Sequence, residues 1–469
     1  MERASATGFV RTSDQAIQWF FIIGTLTVAC LMPMQNDSWW HLRAGKEMVA
    51  RGFIMLSDEF SFTVPGAVWP NHEWLSEVVF YAVYAIGGLP FLTFFAAAII
   101  SAAVFMSWRL MKGDATDRLI LMCLALTSMV PVWTVRPHVF TLFLVMAVVH
   151  LSLRRQYWPI PLIFVVWANL HGGVAMGLVV LGGVLVGRLY VMGRDEARRV
   201  GIVLAASTAA TFLTPLGVSL WTTIPESIHK SSVNQIVEWS FASPLDGTYT
   251  AFWLLVVVFS ATTLVSWRRI RSDEHAVLVA VAFALLPLAL RSRRNIPPFM
   301  LIAVPALTHN LALSMANWGK RRDKPLTPLQ AKVTTLFLAL SMAASILVVG
   351  AAWRGPASRL QWQPLPPVVI AGVEKCERVF NRYPDGGPLI WFAPGVRVFI
   401  DSRQDPYPLS FTQEYVALDR SGEYSQMFTR YGVQCALLPE NSLTSSRLKQ
   451  DGWQTRVASE GWLVLSPSE

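Results

Sequence analysis

Apolar residues fill most of the first 353 positions in blocks separated by short polar stretches. The blocks lie near 17–33, 75–110, 119–135, 137–153, 158–170, 173–192, 200–220, 250–267, 276–290, 296–316 and 331–353. A helix needs roughly 20 residues to cross a bilayer, so the pattern predicts about eleven transmembrane helices. The 75–110 block is too long for one straight crossing. Its first part, EWLSEVVFYAVYAIGG (73–88), reads as a membrane-surface or re-entrant helix, with the crossing from Pro90 to Leu110. After Trp353 the pattern shortens to strand-like runs separated by turns, as in GPLIWFAPGVRVFIDSRQDPY and GWQTRVASEGWLVLSPS. The expectation is a transmembrane domain over 1–353 and a small soluble α/β domain over 354–469.

Composition agrees with a polytopic α-helical membrane protein: 53% of the 469 residues are hydrophobic and 15% charged. The net charge of +9 then reflects anchoring loops at an anionic leaflet, and a nucleic-acid partner is excluded. The start, MERASATGFVRTSDQ, has neither the basic region nor the cleavage site of a removable signal, so the first span is expected to stay. With the N-terminus in the cytoplasm, RLMKGDATDR, RRQ, GRDEARR, SWRRIRSDEH and WGKRRDK all fall inside. The outer face then carries the first loop (35–88), WTVRPH (133–138), the loop 221–249 and the tail. This is a multi-pass protein of the inner (cytoplasmic) membrane, with membrane lipids as partners and an extracytoplasmic tail. None of the four cysteines has metal-ligand spacing. Cys376 and Cys435 either pair in an oxidising compartment or stay as two buried thiols.

The first outer loop opens with NDSWWHLRAGKEMVAR (36–51). Asp37 or Ser38 suits an N-cap, and Gly52 suits a helix end. Trp39, Leu42 and Val49 share one face, and Arg43, Glu47 and Arg51 another, so the helix is expected to lie along the membrane surface with its tryptophans as interfacial anchors. Asp37 stands apart as a carboxylate at the positive end of a helix dipole. The same loop carries Asp58, Glu59, His72, Glu73 and Glu77.

An aspartate after the first span, a helix ending in glycine, and a tryptophan-leucine pair leading into the next membrane helix together resemble the first outer loop of GT-C membrane glycosyltransferases. That superfamily includes protein mannosyltransferases, aminoarabinose transferases and oligosaccharyltransferase catalytic subunits. Asp37-Ser38-Trp39-Trp40-His41-Leu42-Arg43-Ala44 is similar to the stretch after the catalytic aspartate in the last of these. The series DSWWHLRAG, NHEWLSE and VFIDSR also resembles a group of bacterial multi-pass proteins. Ser38 replaces the second acid of the mannosyltransferases, TVRPHVF lacks a second acidic motif, and the tail has no WWDYG-like motif. These departures leave a peptide acceptor and a divalent metal open.

The resemblance implies inverting transfer of a sugar from a polyprenyl-phosphate donor to a glycan, lipid or protein acceptor in the cell envelope, with Asp37 as the catalytic carboxylate. His41, Arg43, Asp58, His72, Glu73, His138, His171 and Glu238 are candidates for substrate contact, and His72 with Glu73 for a metal pair. Arg136, Arg291, Arg293 and Arg294 fall on the outer face against the charge bias, where a lipid-linked phosphate needs guanidinium partners. Miscounted spans would turn the 291–294 group into cytoplasmic anchors. Asp401 and Arg403 read first as a structural pair at a strand end. The competing class is a non-enzymatic lipid or polysaccharide transporter, or an envelope-assembly subunit. Transporters place charge at the bilayer midplane and show internal repeats, whereas the polar groups here gather at one surface and no repeat is evident.

Overall fold

A computed structural model describes residues 10–468 apart from 235, 271, 316–317, 319–322, 324 and 356. The first nine residues of the N-terminal stretch and most of WGKRRDK therefore lie outside the described residues. In chain order the first helices are α1 (Ser13–Cys30), α2 (Asn36–Arg51), α3 (Trp74–Leu110), α4 (Ala115–Met129), α5 (His138–Leu153) and α6 (Ile160–Leu170). There follow α7 (Val174–Met192), α8 (Arg194–Ala210), α9 (Leu220–Val233), α10 (Thr250–Ser266), α11 (Asp273–Arg291), α12 (Ile296–Ser314) and α13 (Pro328–Arg354). The tail adds α14 (Pro367–Val373), α15 (Gly386–Phe392), α16 (Leu409–Ser421), α17 (Ser425–Tyr431) and α18 (Leu443–Gln450). Its strands are β1 (Arg378–Asn381), β2 (Arg397–Val398), β3 (Cys435–Pro439), β4 (Gln454–Ser459) and β5 (Trp462–Ser466).

Seven helical segments among the described residues are long and apolar enough to cross a membrane, against the eleven or so expected. The difference lies in short or polar elements. With 11 residues α6 reaches only about 17 Å, and α8 spends its first turns on Arg194, Asp195, Glu196, Arg198 and Arg199. Helix α1 opens on Ser13-Asp14-Gln15, and α5 has 16 residues. The long third block breaks at Gly87 and at Gly88, whose φ of 65° only glycine adopts readily, just before Pro90.

The chain divides into two compact units. One takes Met1–Met32, Thr93–Thr214 and Val237–Gly355, and the other Pro33–Leu92, Pro215–Ile236 and Pro356–Glu469.

The first unit is a helical bundle built on α12, whose side chains from Ile296 to Asn310 are all buried. Helix α7 packs closely on α11 because Gly183 and Gly187 face it. A Cβ on either would stand 2.7 Å from the Cα of Val281 or Val277. Helix α13 packs beside α1 and leaves Leu336, Phe337, Leu340, Ile346 and Leu347 exposed, an apolar surface suited to lipid tails.

The second unit holds a five-stranded sheet in the order β2-β1-β3-β5-β4, parallel from β2 to β3 and antiparallel beyond. Alternation along the strands sends Val379, Leu437 and Val464 into one core with Trp40, Met48, Trp69 and Leu389. Phe380, Leu438 and Leu463 enter a second core with Phe399, Phe411 and Phe428. The segment Phe60–Phe62 covers the β2 edge, exchanging backbone hydrogen bonds with Val398 at 2.9 and 3.1 Å. Cys376 and Cys435 form a disulfide, which resolves the two alternatives left by the sequence in favour of pairing.

Trp39 and Trp40 are buried side chains of this unit, not exposed interfacial anchors. Trp39 meets Phe392 at 4.8 Å, and Trp40 donates its indole N–H to Ser402 Oγ at 3.0 Å. A tryptophan pair has the same composition whether it faces lipid headgroups or a neighbouring helix; here α15 supplies the neighbour.

Candidate functional site

Two groups of the sequence-predicted residues assemble, one in each unit.

In the second unit, Gln35 is the N-cap of α2, and Ser38 closes a capping box by accepting the Gln35 N–H at 3.2 Å. Asp37, expected as a possible cap, instead lies inside the first turn and is buried. Two close approaches fix α2 against its neighbours. Gly45 lies where a Cβ would stand 2.1 Å from Glu77 O, and Gly387 where one would stand 2.0 Å from Asn36 O. One turn beyond Asp37, His41 places Nδ1 3.1 Å from Glu77 Oε1 and Nε2 3.7 Å from Glu73 Oε2. Asn71 donates to the other oxygen of the fully buried Glu77 at 2.7 Å. His72 turns elsewhere, toward Pro70 O at 3.3 Å and Asp405 at 3.8 Å, so the His72-Glu73 dipeptide is split between different partners. Among the described residues no three His, Cys, Asp or Glu side chains converge as metal ligands.

Two candidates in this unit are committed to internal contacts. Arg43 donates to Glu47 at 2.7 Å and to Ile390 O at 3.1 Å, tying α2 to α15. Asp58 accepts from Ser61 Oγ at 2.5 Å, from the N–H groups of Phe60 and Ser61, and from the guanidinium of Arg403. Arg403 also donates to Asp401 at 2.7 and 2.8 Å and stacks on Phe60 and Trp69, with its charge centre 4.9 and 4.7 Å from the rings. Burial lowers the Arg403 pKa, but Asp401 and Asp58 outweigh it and leave the guanidinium firmly protonated. Asp58 is thus the partner that a buried cation requires. No local pattern around Asp58 could have shown this, because Arg403 lies far along the chain.

In the first unit, four candidates from separate segments meet. Arg136 donates to both oxygens of Glu238, at 2.7 and 3.1 Å, in a two-point contact. Arg294 donates to Glu238 Oε1 at 3.3 Å and to His171 Nε2 at 2.8 Å. On the other side of the ring, His171 Nδ1 accepts from the Gly173 N–H at 3.0 Å and lies 2.8 Å from Thr141 Oγ1. Trp167 Nε1 donates to that same hydroxyl at 3.0 Å. Gly173 is required beside it, since a Cβ there would stand 2.3 Å from Thr141 Oγ1. Arg294 lies 5.1 Å from the ring centre of Trp239, a contact the sequence signalled only by the adjacency of Glu238 and Trp239. Burial pushes the Glu238 carboxyl up, but Arg136 and Arg294 outweigh it and hold it at about 2.

The other basic candidates differ. Arg293 turns to the end of the 221–249 loop, 3.7 Å from Asp246 and 5.2 Å from the ring of Tyr249, while Arg291 is exposed at the end of α11. His138 begins α5 two residues after Arg136, and its Nε2 is buried without a hydrogen-bond partner among the described residues.

No family model matches the chain, and no curated protein matches it in sequence. Several solved structures match it in fold. The oligosaccharyltransferase of Archaeoglobus fulgidus, tethered to an acceptor peptide containing the NVT sequon, aligns over 96% of this chain and 74% of its own at a TM-score of 0.60 and 12% identity. The enzyme in complex with an inhibitory peptide and a dolichol-phosphate aligns over 96% and 74% at 0.59 and 11% identity. The chain therefore has a GT-C-like fold.

Proposed function

We propose that this chain is an integral-membrane glycosyltransferase that moves a sugar from a polyprenyl-phosphate-type donor to an extracytoplasmic acceptor in the cell envelope, with inversion at the anomeric carbon. The observation that carries the proposal is the meeting of Arg136, Arg294 and His171 from separate segments of a fold like that of an oligosaccharyltransferase. Guanidinium groups suit a phosphate, whose oxygens they hold with paired hydrogen bonds. The A. fulgidus enzyme in complex with a dolichol-phosphate holds a lipid phosphate of the class that such a transfer would release.

The acceptor oxygen or nitrogen attacks the anomeric carbon, forming the new glycosidic bond as the bond to the phosphate oxygen breaks. The acceptor proton passes to Asp37, and the electron pair leaves with the lipid phosphate, whose charge Arg136 and Arg294 stabilise. Asp37 suits the role because the positive end of the α2 dipole favours its carboxylate form. The disulfide supports placing the tail on the extracytoplasmic side of the inner membrane.

Asp37→Asn tests the assignment, because it keeps the shape of the side chain and deletes the base. Transfer is expected to fall at least about 100-fold, with the melting temperature unchanged. Full turnover in the variant would assign Asp37 to packing alone.

A further inference from the structure

We infer that the cavity where α9 meets the segments around Pro70 and Asp405 is a sugar-binding subsite that seats the acceptor, through an uncharged hydroxylated ring. The inference rests on the reading of the chain as a glycosyltransferase, and it narrows the acceptor from glycan, lipid or protein to a carbohydrate.

The cavity, of about 220 Å³, lies within the second unit and is lined by Val68, Pro70, Thr223, Glu226, Lys230 and Asp405. Helical spacing puts Thr223, Glu226, Ser227 and Lys230 on one face of α9. Polar contacts dock that face on the tail. Ser227 Oγ donates to Asp405 Oδ1, Lys230 Nζ to the Asp405 carbonyl at 3.2 Å, and Asn234, just past the helix, to Gln404 Oε1 at 2.8 Å. The Lys230 side chain is 10% exposed and pairs with Glu226 Oε1 at 3.0 Å, so its charge is held in the wall. Three polar atoms keep unused capacity: Thr223 Oγ1, Glu226 Oε2 and Asp405 Oδ2 have no hydrogen-bond partner among the described residues. The nearest cation to Asp405 Oδ2 is His72, with Nδ1 at 3.8 Å.

A carboxylate oxygen only accepts, so Glu226 and Asp405 call for donors, and a hydroxyl supplies one while still accepting from elsewhere. Val68 and Pro70 add an apolar surface. A sugar ring presents both chemistries, hydroxyls at its rim and C–H groups on its faces. A phosphate would meet two carboxylates of its own sign, and a metal ion would meet the Lys230 ammonium. The volume is below the roughly 300 Å³ at which drug-sized pockets begin, room for a single ring rather than a stretch of peptide. The walls also belong to segments that pack on α2, the helix of Asp37. Trp69, between Val68 and Pro70, meets Trp40 at 5.9 Å, and Ser402, three residues before Asp405, accepts the Trp40 indole N–H at 3.0 Å. That placement, beside the helix carrying the base, assigns the subsite to the acceptor.

Saturation-transfer NMR of the purified full-length protein in detergent tests the inference, with the methyl glycosides of glucose, galactose, mannose and N-acetylglucosamine as probes. At least one glycoside is expected to bind, and tetrahydropyran, a similar ring without hydroxyls, not to bind. Glu226→Gln and Thr223→Val are each expected to weaken that binding about fivefold or more, with melting temperatures close to that of the wild type. If one variant does not fold, the other decides. A polyprenyl-phosphate sugar added to the complex is expected to leave the glycoside bound or to react with it. Displacement without reaction assigns the subsite to the donor sugar and overturns the acceptor role. No glycoside bound, or equal binding in both variants, overturns the subsite; farnesyl phosphate binding that is lost in Arg294→Gln then leaves the glycosyltransferase reading standing. Glycoside binding weakened by the variants, with neither lipid-phosphate binding nor transfer, keeps a sugar site but overturns its acceptor role together with that reading.

Discussion

Arg291, Arg293 and Arg294 show how far adjacent residues of one type diverge once folded. All three read alike in the sequence as outer-face cations. Only Arg294 joins the Glu238 and His171 group, because the short helical turn at 293–295 directs neighbouring side chains differently. Donor affinity measured for the single glutamine variants is expected to fall about tenfold or more for Arg294 and to change less than about twofold for the exposed Arg291. Arg294→Lys is expected to recover only part of the loss, because an ammonium cannot make the planar two-point contact. Equal, mild effects at all three positions would return them to the role of topological anchors.

A buried acid in the tail gives a pH signature at the same scale. Burial raises the Asp385 carboxyl to about 6 against the pull of Arg382, whose Nε donates to it at 3.0 Å. The folded state therefore holds this proton more tightly than the unfolded chain does. The contribution is greatest below the ordinary carboxyl pKa of 3.8 and declines as pH rises toward 6. Asp385→Asn is expected to gain more thermal stability at pH 7.5 than at pH 4.5, by no more than about 3 kcal/mol. A melting difference independent of pH would contradict this.

Among the elements, those with a strong local signal were legible. The α2 helix runs to the predicted glycine, and β4 and β5 form a hairpin whose turn residues Glu460 and Gly461 have φ of 48° and 79°. The run GPLIWF, read as a strand, is instead helix α15. A short apolar run has no period that separates the two, and the contact between Gly387 and α2 decides between them. Gly387→Ala forces a methyl against the Asn36 carbonyl. It is expected to lower the melting temperature of the protein and, by shifting the first turn of α2, to reduce transfer. Gly395→Ala, which meets nothing within 4 Å, is the matched control. Equal melting temperatures for the two variants would show that α15 does not depend on this approach.

At the scale of the whole molecule, hydropathy announced a chain of many apolar helices; among the described residues seven of the roughly eleven expected crossings are helical segments long and apolar enough to span a bilayer, while α5, α6 and α8 are shorter or more polar. Asp37, Arg136, His171, Glu238 and Arg294 were each visible as polar groups in loops or at helix ends. The meeting of the last four was not, because it depends on helix packing across long chain separations. The pairing of Asp58 with Arg403 of the tail was hidden for the same reason. The central claim, transfer of a sugar from a lipid phosphate, is tested most directly by incubating the purified wild-type protein with radiolabelled polyprenyl-phosphate sugars and envelope acceptors. The expected result is equal amounts of free polyprenyl phosphate and labelled acceptor, with the anomeric configuration inverted. Tight binding of the same donors with neither product formed would contradict it, and would point to a protein that carries lipid-linked sugars without reacting them.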